Sequence, residues 1–313
     1  MSICSNTQPI VLVCAADNNY AMPLAVTVRS ALENLGANQK IALFILDGGI
    51  TESNKNKIIK SLKSEQINIS WVEPDNALFT NLVLTRHLTA SCYYRLLITD
   101  FLPPEFKKAI YLDTDMVVTG DLGEIWNIEI DDDYALAVQD DVELYISMCD
   151  GLRNYQEVGL SGDAKYFNSG LLVINLEKWR TGNIGAKVLE YIQQNKEYVR
   201  NDQDGLNAIL AGKWRELHPK WNQMPRIYNY PSWENSPFPE DIYQDLLEEP
   251  CIIHFTNTPK PWYAGVKSEC THPKKDLFFH YLDVTDWSGW RDTIWRRIAR
   301  KFMKLTSLNT SKL

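Results

Sequence analysis

Apolar positions in the first hundred residues gather into short runs separated by amphipathic stretches. Residues 9–16, 41–46 and 67–72 read as strands. Between them, residues 23–35 have the spacing of an amphipathic helix closed by Gly36, and residues 51–65 read as a polar helix with Thr51 as N-cap. Residues 91–101 predict a further helix, stopped by Pro103 and Pro104, and residues 108–112 a fourth strand. This alternation predicts an α/β fold built on a mixed, mostly parallel sheet flanked by helices. Farther along, residues 134–139 and 171–175 predict strands, and residues 176–195 and 202–211 predict helices. Residues 218–250, rich in Trp, Tyr, Pro and Asn, predict an irregular lobe packed on the sheet, and residues 251–255 a short buried strand.

Length and charge refine this picture. The chain has 313 residues and a net charge of −8. Residues 286–313 carry seven Lys/Arg against two acids, which leaves a body in which 38 acids face 25 bases. An acidic body argues against general nucleic-acid binding, and a basic tail points to one localised anionic partner. We therefore expect a catalytic domain over residues 1–285 and a tail over residues 286–313. On a helix, Trp290, Ile294, Ile298, Phe302 and Leu305 would form one stripe, with Arg296, Arg297, Arg300 and Lys304 mostly off it. Such a basic amphipathic helix suits an anionic membrane surface. No apolar run approaches the roughly 20 residues of a membrane span. Residues 10–16 are short and follow no Lys or Arg, so a first strand fits better than a signal peptide. Six scattered cysteines without a C-x-x-C pair disfavour a zinc site and suit a reducing cytoplasm, which predicts a cytoplasmic protein peripheral on the inner membrane face.

Candidate chemistry sits where strands end. Asp113 and Asp115 follow the apolar run 109–112, and at i, i+2 both carboxylates can reach one cation. Alone, such a pair would be read as a turn. Asp17 and Tyr20 follow the first strand, where a nucleotide base and ribose bind in such folds, although an Asx turn capping the helix explains them equally. No G-x-G-x-x-G or Walker loop is present, which disfavours a dinucleotide or P-loop site. His254 ends a buried run and leads into a proline-fixed loop carrying Lys260. Imidazole beside carboxylates suits Mn²⁺ better than Mg²⁺. Asp202 and Gln203 open a helix, where acids also serve as plain caps. His87 and Arg95 flank the segment at Ser91.

Six ordered segments strengthen these signals: AADNNY at 15–20, RHLTASCYYRL at 86–96, YLDTDMVV at 111–118, YFNSGLLVINLEKWR at 166–180, NDQDGLNAIL at 201–210 and HFTNTPKPW at 254–262. Together they closely resemble the bacterial lipopolysaccharide galactosyltransferase branch of glycosyltransferase family 8. The resemblance implies a nucleotide-sugar (GT-A-like) fold, a divalent metal that is usually Mn²⁺, a UDP-galactose or UDP-glucose donor, and retention of anomeric configuration. It implies that Asp113, Asp115 and His254 hold the metal. Ala15, Asp17, Asn19, Tyr20 and Thr114 are implied as uridine and ribose contacts. Lys260, with Asn257 where relatives often have Gly, is implied beside the diphosphate. Arg95, Asn168, Asp202 and Gln203 are implied at the donor sugar, Asp140 near the transferred sugar, and His87 in the acceptor region. The expected activity is metal-dependent hexosyl transfer to a saccharide acceptor, lipid-linked or of lipopolysaccharide type. The rivals are transfer to a soluble or protein acceptor, as in glycogen primers, and nucleotide-sugar binding without turnover.

Overall fold

The run Ile10–Ala16 forms strand β1, the hub of the sheet in a computed structural model that describes residues 8–75, 90–149, 151–256, 259–263 and 270–290. The other strands are β2 (Ile41–Asp47), β3 (Ile67–Val72), β4 (Lys108–Leu112), β5 (Met116–Val118), β6 (Ala135–Gln139), β7 (Phe167–Asn175), β8 (Trp214–Glu216) and β9 (Ile252–His254). The helices are α1 (Ala21–Glu33), α2 (Glu52–Ser61), α3 (Ile98–Phe101), α4 (Leu122–Trp126), α5 (Leu176–Gly182), α6 (Ile184–Gln194), α7 (Asp202–Leu210), α8 (Glu240–Glu248) and α9 (Lys275–Asp283). Seven strands make one sheet in the order β3-β2-β1-β4-β7-β6-β8, and β5 pairs antiparallel with β9 in a separate ribbon. Only β7 runs against the others of the large sheet. The mixed, mostly parallel α/β architecture expected from the sequence is therefore present.

Unbroken apolar strands are explained by burial on both faces. Ile10, Leu12 and Cys14 of β1 pack with α1, Ile58 of α2 and Phe278 of α9. Val11 and Val13 pack on the other face with Tyr93, Tyr94, Trp179, Val188 and Leu206. Thr51 caps α2 as expected, its hydroxyl accepting from Asn54 N–H at 3.4 Å.

Several boundaries differ from the sequence pattern. Residues 176–195 are two helices, because Asn183 adopts the left-handed conformation (φ 50°) and ends α5 before α6 begins. Asn tolerates that conformation, and the hydrophobic periodicity does not report it. Ala90–Leu97 is a 3₁₀ helix continued by α3, not one α-helix. Its path is set by α6, where a side chain at Gly185 would meet the Leu96 carbonyl at 1.9 Å. Helix α2 stops at Ser61, whose hydroxyl turns back onto the Lys57 carbonyl at 2.7 Å. Strand β7 starts four residues early, because Phe167 and Asn168 already pair with Gln139 and Val138 of β6. Residues 218–250 contain three 3₁₀ turns and α8. His87, Asn257 and the tail beyond Trp290 lie outside the described residues.

Candidate active site

The carboxyl ends of β1, β4 and β6 and the amino end of β7 share one edge of the sheet, and the polar residues converge there. Asp113 follows β4, its N–H bonded to the Gly170 carbonyl at 2.8 Å. The β5/β9 ribbon pairs Met116 with His254, and Phe255 N–H reaches the Asp115 carbonyl at 2.9 Å. This register brings the imidazole beside the Asp115 carboxylate. Gly170 allows the approach, since a side chain there would meet His254 Cε1 at 2.5 Å. One ligand atom each from Asp113, Asp115 and His254 lies within 4.8 Å of the others.

Two cations hold the carboxylates. Arg95 Nη2 donates to Asp113 Oδ1 at 2.7 Å, and Arg95 Nε lies 2.9 Å from Asp202 Oδ2. Its Nη1 reaches the Ser169 carbonyl at 2.7 Å, and its guanidinium lies over the Tyr111 ring at 4.4 Å. Lys260 Nζ donates to Asp115 Oδ2 at 2.8 Å and to the Thr256 carbonyl at 3.1 Å. Burial pushes Asp115 up, but the Lys260 ammonium and then His254 outweigh it and hold the carboxyl well below the usual range. Burial pushes Asp202 up to about 6, Arg95 opposing and Asp113 adding to the rise.

A chain of amides fixes the histidine. Asp140 Oδ2 accepts from Asn168 Nδ2 at 3.1 Å, so the Asn168 oxygen faces the other way and accepts from Asn222 Nδ2 at 2.9 Å. Asn222 Oδ1 then faces His254 Nδ1 at 2.9 Å, which requires the proton on Nδ1. Nε2 is left pointing at Asp115 Oδ1, 3.1 Å away. The ring nitrogen and the carboxylate oxygen thus stand side by side as two donor atoms that one cation could share. Two carboxylates, an imidazole with a fixed tautomer and a supporting amide are the donor chemistry a divalent metal requires.

A family model described as glycosyl transferase family 8 matches residues 11–265. The chain belongs to this family. It is 33% identical to general stress protein A of Bacillus subtilis (strain 168), over 88% of this chain and 94% of that protein. It is 25% identical to a lipopolysaccharide 1,2-glucosyltransferase of Escherichia coli, over 91% of this chain and 80% of that one. Among solved structures, galactosyltransferase LgtC in complex with donor and acceptor sugar analogs superposes with a TM-score of 0.75 at 27% identity, covering 90% of this chain and all of that one. The expected family and GT-A-like fold are thereby established.

Within this glycosyltransferase family 8 chain, hydrogen bonds tie Asp140, Asn168 and Gln203 into the network around the metal-ligand candidates, while Asp17, Asn19 and Tyr20 follow the carboxyl end of β1. Asp140 Oδ1 accepts from Val142 and Glu143 N–H at 2.9 and 3.0 Å, and its Oδ2 also accepts from Gln203 Nε2 at 3.2 Å. Gln203 Oε1 is fixed by Ser169 N–H at 2.9 Å. Asp17 caps its own turn, accepting from Asn19 and Tyr20 N–H at 2.9 and 3.1 Å. Asn19 is exposed, and the Tyr20 ring meets Trp262 edge-on at 5.8 Å. Ala15 is buried in β1, and the Thr114 carbonyl accepts from Thr27 Oγ1 at 3.0 Å. Asn222 and Asp141 were not anticipated. Both lie outside the six recognised segments, and one asparagine in an aperiodic stretch gives no signal of its own.

Proposed function

We propose that the chain is a retaining hexosyltransferase that moves galactose or glucose from a UDP-sugar to a saccharide acceptor. The observation that carries this reading is the convergence of Asp113, Asp115 and His254, with the imidazole tautomer set by Asn222. Bound there, Mn²⁺, with Mg²⁺ as second choice, would act as a Lewis acid on the diphosphate. Lys260 adds a positive charge at the same place, and in the structure it rests on Asp115. Arg95 holds Asp113 and Asp202 in fixed positions beneath the sugar site.

Retention by two displacements needs a nucleophile with a lone pair free to attack. A carboxylate offers about four acceptor positions. Asp140 fills that number with Val142 N–H, Glu143 N–H, Asn168 Nδ2 and Gln203 Nε2. We therefore assign Asp140 as a fixed negative charge that stabilises oxocarbenium character, not as the nucleophile. Gln203 is held by Asp140 and Ser169 and also bonds the Tyr166 hydroxyl, so its neutral amide is fixed in place and is a poor nucleophile. Front-face displacement follows, with the acceptor attacking on the side from which UDP leaves.

The lipopolysaccharide transferases among the relatives support an acceptor carried on lipid. We infer that residues 1–285 are the catalytic unit and that the basic tail holds it on an anionic membrane surface at the cytoplasmic face. Among the described residues, no helix is long and apolar enough to cross a membrane. The test of the reaction is the anomeric configuration of the product by NMR. An α linkage from the α-linked donor is expected, and a β linkage would defeat the proposal.

A further inference from the structure

Helix α1 is apolar along most of its buried surface, with Leu24, Val26, Val28, Ala31 and Leu32 packed inside. Three polar side chains interrupt it at i, i+3 and i+7: Thr27, Ser30 and, at the C-cap, Asn34. Thr27 and Ser30 have no exposed surface. A hydroxyl inside a helix ordinarily turns back to the carbonyl of its own preceding turn. The Thr27 hydroxyl instead leaves the helix and reaches the Met116 carbonyl at 2.7 Å and the Thr114 carbonyl at 3.0 Å. Ser30 Oγ accepts from Val118 N–H at 2.9 Å, and Asn34 Nδ2 donates to the Val118 carbonyl at 3.1 Å.

The geometry of β5 explains this stripe. Among the described residues, β9 is its one strand neighbour. Met116 stands opposite His254, whose N–H turns away to the Gln223 carbonyl at 2.9 Å. The backbone groups of Met116 and Val118 therefore face away from β9, toward α1. Buried backbone groups need partners, and the side chains of α1 supply them in place of a neighbouring strand. The consequence falls on Asp115. The peptide group before it carries the Thr114 carbonyl, bonded by Thr27. The peptide group after it carries the Asp115 carbonyl, bonded by Phe255 N–H at 2.9 Å. Both peptide planes at the Asp115 α-carbon are thus fixed, one from α1 and one from β9. So held, the Asp115 carboxylate faces His254 Nε2 at 3.1 Å. A threonine hydroxyl has one proton to give, and here two carbonyls that flank Asp115 share it. Loss of that single hydroxyl releases both.

We propose that Thr27 is a positioning residue of the metal site, its hydroxyl setting the Asp115 carboxylate for the cation. This rests on the metal-dependent transfer reading above. The test titrates Mn²⁺ into full-length protein with UDP present and follows free Mn²⁺ by electron paramagnetic resonance. Thr27→Val keeps the shape and removes the hydroxyl, and Thr27→Ser restores it. Groups that orient a metal ligand are worth about 10- to 100-fold in affinity, so Thr27→Val should bind Mn²⁺ at least about tenfold more weakly, with its circular dichroism unchanged. Thr27→Ser should stay within about twofold of wild type. A hydroxyl that served folding alone would lower stability and leave the Mn²⁺ affinity where it was. Wild-type affinity in folded Thr27→Val, or equal losses in Thr27→Val and Thr27→Ser, would overturn the proposal. If Thr27→Val does not fold, Thr27→Cys takes its place and is judged by the same two outcomes. If the wild type itself binds no Mn²⁺, the metal reading has failed, and carbon-13 NMR of the Asp115 carboxyl decides whether Thr27 sets that side chain. A signal displaced in Thr27→Val and restored in Thr27→Ser supports it, and an unmoved signal overturns it.

Discussion

Asp141→Asn is expected to change how stability depends on pH. The Asp141 side chain is nearly buried, at 8% exposure, and its carboxyl accepts one hydrogen bond among the described residues, from Arg226 N–H at 3.2 Å. Burial first, and the neighbouring Asp140 second, push it from 3.8 up to about 7. Unfolding returns it to about 3.9. Between these values the native state keeps a proton that the unfolded state has released. The stabilisation is complete below about pH 4 and is lost as the pH rises through about 7. Each pH unit inside that window removes about 1.4 kcal/mol, or about 3 kcal/mol from pH 5 to pH 8.5. Asparagine keeps the shape and an acceptor for Arg226 N–H but has no charge to bury. The stability of Asp141→Asn minus that of wild type should therefore rise by about 3 kcal/mol from pH 5 to pH 8.5. Urea unfolding followed by tryptophan fluorescence measures it, and groups titrating alike in both proteins cancel. A difference that moves by less than about 0.5 kcal/mol would show that Asp141 ionises as an ordinary carboxyl.

Asn222→Ala should weaken Mn²⁺ binding by about 10- to 100-fold in calorimetric titrations while leaving the circular dichroism unchanged, because it releases the His254 tautomer. Equal affinity would show that the amide chain does not act on the metal site. Arg95→Met leaves Asp113 and Asp202 without their shared cation and should cost about 3–5 kcal/mol in urea unfolding. A loss below about 1 kcal/mol would mean those acids find other partners. Full-length protein should co-sediment with anionic liposomes, and a chain ending at Asp286 should not. Equal binding by both would remove the membrane role of the tail.

The parts legible in the sequence share a physical cause. Strands β1, β2 and β4 are buried on both faces, so unbroken apolar runs reveal them. Asp113, Asp115 and His254 stand at the ends of such runs, so their type and position both carried a signal. Where a local conformation overrides periodicity, as at Asn183, the pattern continued through a break it could not register. Strand β8 is a three-residue pairing defined by a distant partner, and although the apolar run at 251–255 marks β9, no local window contains its pairing with β5. Asp141 and Asn222 matter through their contacts with Arg226, Asn168 and His254, which are tertiary. The amide chain from Asp140 to His254 therefore became visible only in three dimensions.

Release of UDP from a panel of UDP-sugars, with and without Mn²⁺, tests the central claim most directly. The account predicts slow release from UDP-galactose or UDP-glucose that requires Mn²⁺, stops on chelation and is lost in folded Asp113→Asn and Asp115→Asn. Release that persists undiminished in chelator, or no release from any UDP-sugar with Mn²⁺ present, would contradict it.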